Sequence, residues 1–153
     1  MTSNSERLLD AVGWKLLVLL QDDARRSFSD LGRAVGLSSP AVAERVRRLE
    51  EAGIITGYHA AVNPERVGRP ILAFMRLSEV GDQGGRLGEL VAKHMPEVME
   101  CHRVTGSDSY VLKIVVESIA HLEALIDRLV PYGQITTSLV LSSPVVRRVI
   151  KQT

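Results

Sequence analysis

The sequence has one cysteine, Cys101, in 153 residues, so no disulfide forms within the chain and its stability must come from packing. The net charge is only +1, which gives no overall field to draw in nucleic acid or an anionic surface; any such attraction has to be local. No apolar run approaches the roughly 18 residues a membrane span needs. The run at 16–20 stops at Gln21, and the N-terminus lacks a basic segment leading into an apolar core, so the expectation is a cytoplasmic protein with no membrane partner. His59, His94, His102 and His121 show no metal-ligand spacing, and there is neither a glycine-rich phosphate loop nor a Gly-x-Ser-x-Gly elbow. The reading is of a chain that is not an enzyme, without catalytic residues, metal or cofactor, in which Cys101 is a small buried hydrophobe.

What is present is the composition of a soluble globular protein, 45% hydrophobic and 24% charged, enough for one ordinary domain or two small ones. Leu9, Val12, Leu16, Leu19 and Leu20 recur at spacings of three and four, predicting an amphipathic helix over 8–20 with Trp14 and Leu17 widening its stripe. Ser27 and Asp30 form a helix-start signal in which the hydroxyl accepts from exposed N–H groups and the carboxylate reaches back. The short helix that follows buries Leu31, Ala34 and Val35 and stops at Gly36, which supplies a left-handed position. A third helix is expected with Ser39 as cap and Pro40 in the first helical position. Its inner stripe is Val42, Val46 and Leu49; Ala41, Glu44, Arg45 and Arg48 face outward with Arg47 beside them, and Gly53 ends it. Residues 54–62 read as a small β wing closed by Asn63-Pro64.

Beyond the hinge the period changes. Ile71, Ala73, Met75 and Leu77 alternate with Leu72, Phe74 and Arg76, predicting a strand, and 81–85 is a loop. Leu87, Leu90, Val91 and Met95 give a helix stopped by Pro96. Strands over 98–105 and 110–117 are joined by the turn Gly106-Ser107-Asp108-Ser109. Ser118 caps a helix that buries Ile119, Leu122, Leu125, Ile126 and Leu129, and 135–141 is the last strand. The order is β-α-β-β-α-β, so the fold class is α+β, a winged helix-turn-helix followed by a ferredoxin-like domain. The boundaries are 1–62 for the head, 63–69 for the hinge and 70–153 for the second domain.

This architecture leaves a debt. Two helices cover one sheet face, yet the strand over 110–117 is apolar on both, with Leu112, Ile114 and Val116 opposite Val111 and Val115. Each such side chain contributes about 1.5 to 3 kcal/mol when buried, so a second copy of the chain is the simplest cover.

In the head, a helix whose outer side is serine, alanine and arginine is narrow enough for a groove about 12 Å wide, and its capped end offers N–H groups to phosphate. The residues expected at double-stranded DNA are Ser27, Ser38, Ser39, Pro40, Ala41, Glu44, Arg45 and Arg48. The head's eight basic and eight acidic residues cancel, but most of its arginines fall between Arg25 and Arg48, which makes any positive surface directional.

Leu9-Asp10, Arg25-Arg26-Ser27, Gly36-Leu37-Ser38, the run from Glu44 to Glu50, Gly53-Ile54-Ile55, Gly57-Tyr58 and Asn63-Pro64 closely resemble the leucine-responsive regulator/asparagine regulator (Lrp/AsnC) family. Glu100-Cys101-His102 and Tyr110-Val111-Leu112-Lys113 extend the resemblance over almost the whole chain. It implies a winged DNA-binding head, a hinge strand and a C-terminal domain that pairs into dimers, often octamers that wrap DNA. It also implies that a small effector, commonly an amino acid, binds near the hairpin loop, here Gly106, Ser107, Asp108, Ser109 and Tyr110 with the nearby Thr137. The loop departs from the family pattern Gly-x-x-Asp-Tyr: Ser109 stands where the aspartate would be, and Asp108 is displaced by one residue. A shift of one residue in a hairpin turns a side chain elsewhere.

Three functional classes follow. An effector-modulated regulator of specific promoters leads; a DNA-organising protein with low sequence preference and no physiological ligand is the alternative suggested by the altered loop. A stand-alone enzyme or ligand-binding protein is the third.

Overall fold

The computed structural model describes residues 7–79 and 86–152, so the loop expected at 81–85 lies outside the described residues. The chain forms two compact units, one of Met1–Ala60 with Val145–Thr153 and one of Ala61–Pro144. In this division the tail from Val145 groups with the head. Its anchor is Gln21, whose amide donates to the Ile150 carbonyl at 3.0 Å and accepts from the Ile150 N–H at 2.9 Å.

Among the described residues the first unit holds three full helices. Helix α1 (Ala11–Asp22) starts three residues after the expected position 8 because Asp10 is the cap, its carboxylate accepting from the Gly13 N–H at 2.8 Å. Helix α2 (Phe28–Val35) begins as expected: Ser27 Oγ accepts from the Asp30 N–H at 3.1 Å and donates to Asp30 Oδ2 at 2.6 Å. It ends on Gly36 at φ 73°. Helix α3 (Ser39–Glu51) is capped by Ser38 and not by Ser39, so Pro40 is second and not first in the helix. Either serine has the required hydroxyl; the chain enters α3 one residue early because Ser38 is the one with extended backbone. Leu16, Leu20, Leu31, Val42 and Val46 form the core of this unit.

Residues 54–62 contain no strand, a correction to the expected wing. The N–H groups of Ile54 and Ile55 turn back to the Leu49 carbonyl to finish α3, and among the described residues no segment forms a ladder with 54–62. The Tyr58 hydroxyl donates to Glu50 at 2.7 Å and ties this segment to the helix.

The second unit runs β1 (Ile71–Glu79), α4 (Arg86–His94), β2 (Val98–Arg103), β3 (Tyr110–Val116), α5 (Ile119–Leu129) and β4 (Gly133–Leu139). The sheet order β2-β3-β1-β4 with antiparallel neighbours is the ferredoxin-like arrangement. Ala73, Met75 and Leu77 of β1, Leu112, Ile114 and Val116 of β3, Leu87 and Val91 of α4, and Leu122, Leu125 and Leu129 of α5 make one core. Strand ends shift by up to two residues, Cys101 is half-buried and not fully buried, and two further differences matter more. Ile119 is 51% exposed, because the first residue after the Ser118 cap lies on the outward side of the turn. The last strand stops at Leu139, and Leu141, 96% exposed, lies beyond the final pairing of Ala73 with Leu139.

Candidate nucleic-acid interface and effector loop

The turn between α2 and α3 depends on a residue the sequence reading passed over. The Gly32 carbonyl accepts from the Leu37 N–H at 2.9 Å, and a Cβ at Gly32 would sit 2.4 Å from the Leu37 carbonyl oxygen. Only glycine lets the connecting turn lie against α2 this closely. With Gly36 reversing the chain, Gly32 fixes how α3 leaves α2.

Helix α3 buries Val42, Val46 and Leu49 and turns its charged residues outward. Glu44 is central among them: Arg47 donates through Nε to Oε2 at 2.9 Å and through its terminal nitrogen to Oε1 at 2.8 Å, and Arg48 Nε donates to Oε1 at 2.8 Å. Arg47 also meets Glu51. These guanidinium groups, Arg47 foremost, hold the Glu44 carboxyl at about 2 and keep it ionised. Arg45 behaves differently. It makes a bidentate pair with Asp10, both bonds 2.7 Å, joining α3 to the cap of α1 and lowering the Asp10 carboxyl to about 2. A cleft of about 510 Å³ lies alongside, lined by Arg7, Leu8, Arg45, Arg47, Arg48 and Glu51.

Of the residues expected at DNA, Ser38, Ser39, Pro40 and Ala41 form the first turn of α3 and its cap, and Glu44 and Arg48 follow on the same helix. Ser27 caps α2. Arg45 is engaged within the protein, and Arg47, which sequence reasoning left beside the set, is more exposed than Arg45.

In the second unit, the Val104 N–H donates to the Ser109 carbonyl at 3.0 Å, closing the hairpin loop, and the Ser109 N–H donates to Leu77 of β1 at 2.8 Å. Gly106 takes φ 116°, a backbone state that disfavours side chains. The Asp108 carboxylate accepts from Ser78 Oγ at 3.2 Å and faces Arg76 at 3.9 Å. Ser107 lies between Gly106 and Asp108 in the exposed turn, and Tyr110, buried, opens β3. Thr137 pairs with Met75 and so shares the helix-covered face, whereas Ser78 and Arg76 point to the other face. The structure therefore gathers Gly106, Ser107, Asp108 and Ser109 in one loop and leaves Thr137 apart from Asp108.

That other face is less uniformly apolar than the sequence suggests. Val115 is only 5% exposed within the single chain, closed over where Leu72 pairs with it and the Glu97 carbonyl takes its N–H. Phe74, 41% exposed, is the large side chain left open, with Val111 half-buried near it and a Lys113–Glu100 pair of 2.8 Å beside it. On the covered side, Glu97 is a charged residue that sequence reasoning missed. It is 7% exposed and takes His121 at 3.2 Å and Arg128 at 2.9 Å on one carboxylate oxygen. Burial works against its charge, but bonds from its own N–H, His121 and Arg128 together hold the carboxyl below its ordinary value. Among the described residues no group of three or more histidine, cysteine or acidic side chains could hold a metal ion, and no helix is long and apolar enough to cross a membrane.

Comparison with known proteins matches residues 9–50 to the AsnC-type helix-turn-helix domain and residues 73–150 to the Lrp/AsnC ligand binding domain. The chain belongs to the Lrp/AsnC family. Its relatives include the uncharacterised helix-turn-helix transcriptional regulator YezC of Bacillus subtilis, 41% identical over 88% of this chain and 95% of YezC. The solved structure of B. subtilis LrpC superimposes with a TM-score of 0.85 at 32% identity, covering 91% of this chain and 99% of LrpC. A feast or famine regulatory protein from Mycobacterium tuberculosis, complexed with L-methionine, superimposes with a TM-score of 0.83 at 32% identity over 93% and 99% of the two chains. This Lrp/AsnC chain is thus a transcriptional regulator with a helix-turn-helix head and a ligand-binding domain.

Proposed function

We propose that the chain works in the cytoplasm, binds double-stranded DNA in a sequence-specific way as a homo-oligomer, and has that binding tuned by a small effector at the hairpin loop. The observation that carries the reading is α3: a capped helix with a buried aliphatic stripe and, opposite it, arginines set around one carboxylate. Ser38, Ser39, Pro40 and Ala41 bring the helix end to the groove, and Ser27 brings the N-terminus of α2 to a phosphate. Arg48 and Arg47 reach the DNA, while Arg45, tied to Asp10, holds α3 at its angle. The open sheet face around Phe74 takes a second copy, since an exposed phenylalanine beside Val111 gains by burial. The effector is an amino acid, a class supported by the M. tuberculosis relative complexed with L-methionine.

A second reading, a DNA-organising protein without an effector, is favoured by Asp108, whose carboxylate is already occupied by Ser78 and Arg76. One set of measurements separates the two. Duplexes enriched from a randomised pool by the protein are compared with unselected duplexes, with and without each amino acid, L-methionine included. The leading reading expects a clear preference for enriched DNA that an amino acid alters, with the response changed by Asp108→Ala. Little preference and no amino-acid response supports the second reading and overturns the first, and preference without any amino-acid response removes the effector from the first.

A further inference from the structure

We propose that Glu44 is a specificity-determining residue of the recognition helix, keeping Arg47 and Arg48 from gripping arbitrary DNA and accepting a hydrogen bond from a cytosine amino group in the correct site. The inference rests on α3 being the DNA-reading helix. Glu44 lies two residues from both Val42 and Val46, about 200° around the helix from each, and so is centred opposite the buried stripe. Any groove that admits α3 meets this carboxylate.

Two arginines are bound to it by three hydrogen bonds of 2.8 to 2.9 Å. The group stays ionised across all working pH because Arg47, then Arg48, stabilise its charge. On arbitrary sequence, moving either guanidinium to a phosphate gives up charge-assisted bonds and strands a carboxylate among phosphates. In the major groove, however, cytosine presents N4–H₂ as a donor, and a glutamate is the side chain that accepts it. There the carboxylate exchanges protein donors for a base donor, and Arg47 and Arg48 turn to the backbone without leaving the carboxylate short of a hydrogen-bond donor. Asp10 plays no such part: its bidentate hold on Arg45 links two helices and lies to the side.

The test uses the full-length protein and duplex DNA from a randomised pool, either enriched by the wild type or unselected. Glu44→Gln should bind unselected duplex about five- to tenfold more tightly at a given salt, with the log–log salt dependence steeper by about one unit. Re-enrichment with this variant should lose a cytosine at one position per half-site. Glu44→Asp keeps the charge on a shorter arm, so its affinity for unselected DNA should stay at the wild-type value while the cytosine preference weakens. Thermal melting alongside confirms that both variants fold. If Glu44→Gln weakens enriched and unselected binding equally, or re-enrichment returns the wild-type sequence, the role given to Glu44 is overturned. If the wild type itself does not distinguish enriched from unselected duplex, the DNA-reading assignment falls and takes this one with it.

Discussion

The outer face of α3 and the open face of the sheet both carry exposed side chains among the described residues, yet they are finished to different degrees. On α3, Arg45, Arg47 and Arg48 all have carboxylate partners within the protein. On the sheet, Lys113 and Arg76 find Glu100 and Asp108, but Phe74 stays 41% exposed. A charge can be satisfied provisionally by a local opposite charge and released when a phosphate or base competes. An apolar side chain has no such substitute, because water is what it must leave. The first surface can therefore exchange partners, as the proposed DNA-reading role requires, and the second gains only by being covered.

Three substitutions sharpen that contrast. The largest effect is expected from Phe74→Glu, which puts a charge where a second copy should bury a ring; self-association measured by sedimentation should weaken at least about 100-fold, given about 1.5 to 3 kcal/mol per buried side chain on each copy. Melting should move little, because Phe74 is already partly in water. An unchanged oligomeric state would mean that this face is not the contact. Gly32→Ala comes next: the added Cβ meets the Leu37 carbonyl at 2.4 Å, and the repacking should cost the head about 1 to 3 kcal/mol in thermal or urea unfolding while leaving the sheet unit's assembly intact. The smallest is Asp10→Asn, which keeps the cap acceptor but loses the ion pair with Arg45. The folded carboxyl sits at about 2 against an ordinary 3.8, so its contribution is present above 3.8 and is lost as pH falls toward 2. The wild type should melt above the variant at neutral pH by less than about 1 kcal/mol of stability, since the pair is partly exposed, and the gap should close near pH 2.

Most of the architecture was legible because its signals are local. The period-3.6 stripe of Val42, Val46 and Leu49, the Ser27–Asp30 start and the left-handed Gly36 all appear in place. The alternation of Ala73, Met75 and Leu77 became β1. The misses are of two kinds. Small shifts at ends, such as Ser38 for Ser39 as cap and Leu139 for 141 as strand end, come from neighbouring residues of equal propensity. The larger misses depend on what lies across space. Residues 54–62 have strand-like composition but form no ladder with any other described residues, and the helical stripe of α5 could not tell that Ile119 lies on its outward edge.

The same division holds for function. By itself the sequence determined the helix-turn-helix and the β-α-β-β-α-β order, and it named the polar residues expected at DNA and at an effector, because caps, periodicity and turn chemistry act within a few residues. Only the tertiary structure decided which of those groups are already engaged. Arg45 lies thirty-five residues from Asp10 and closes a bidentate pair with it, and Asp108 reaches Ser78 across thirty. Thr137 falls on the face away from that loop's carboxylate by the register of β4 against β1, and Gly32 matters because Leu37 folds back onto it. Long-range pairing of charges and strand register are set by the packing of elements against one another, and the local sequence signals that built those elements do not specify it.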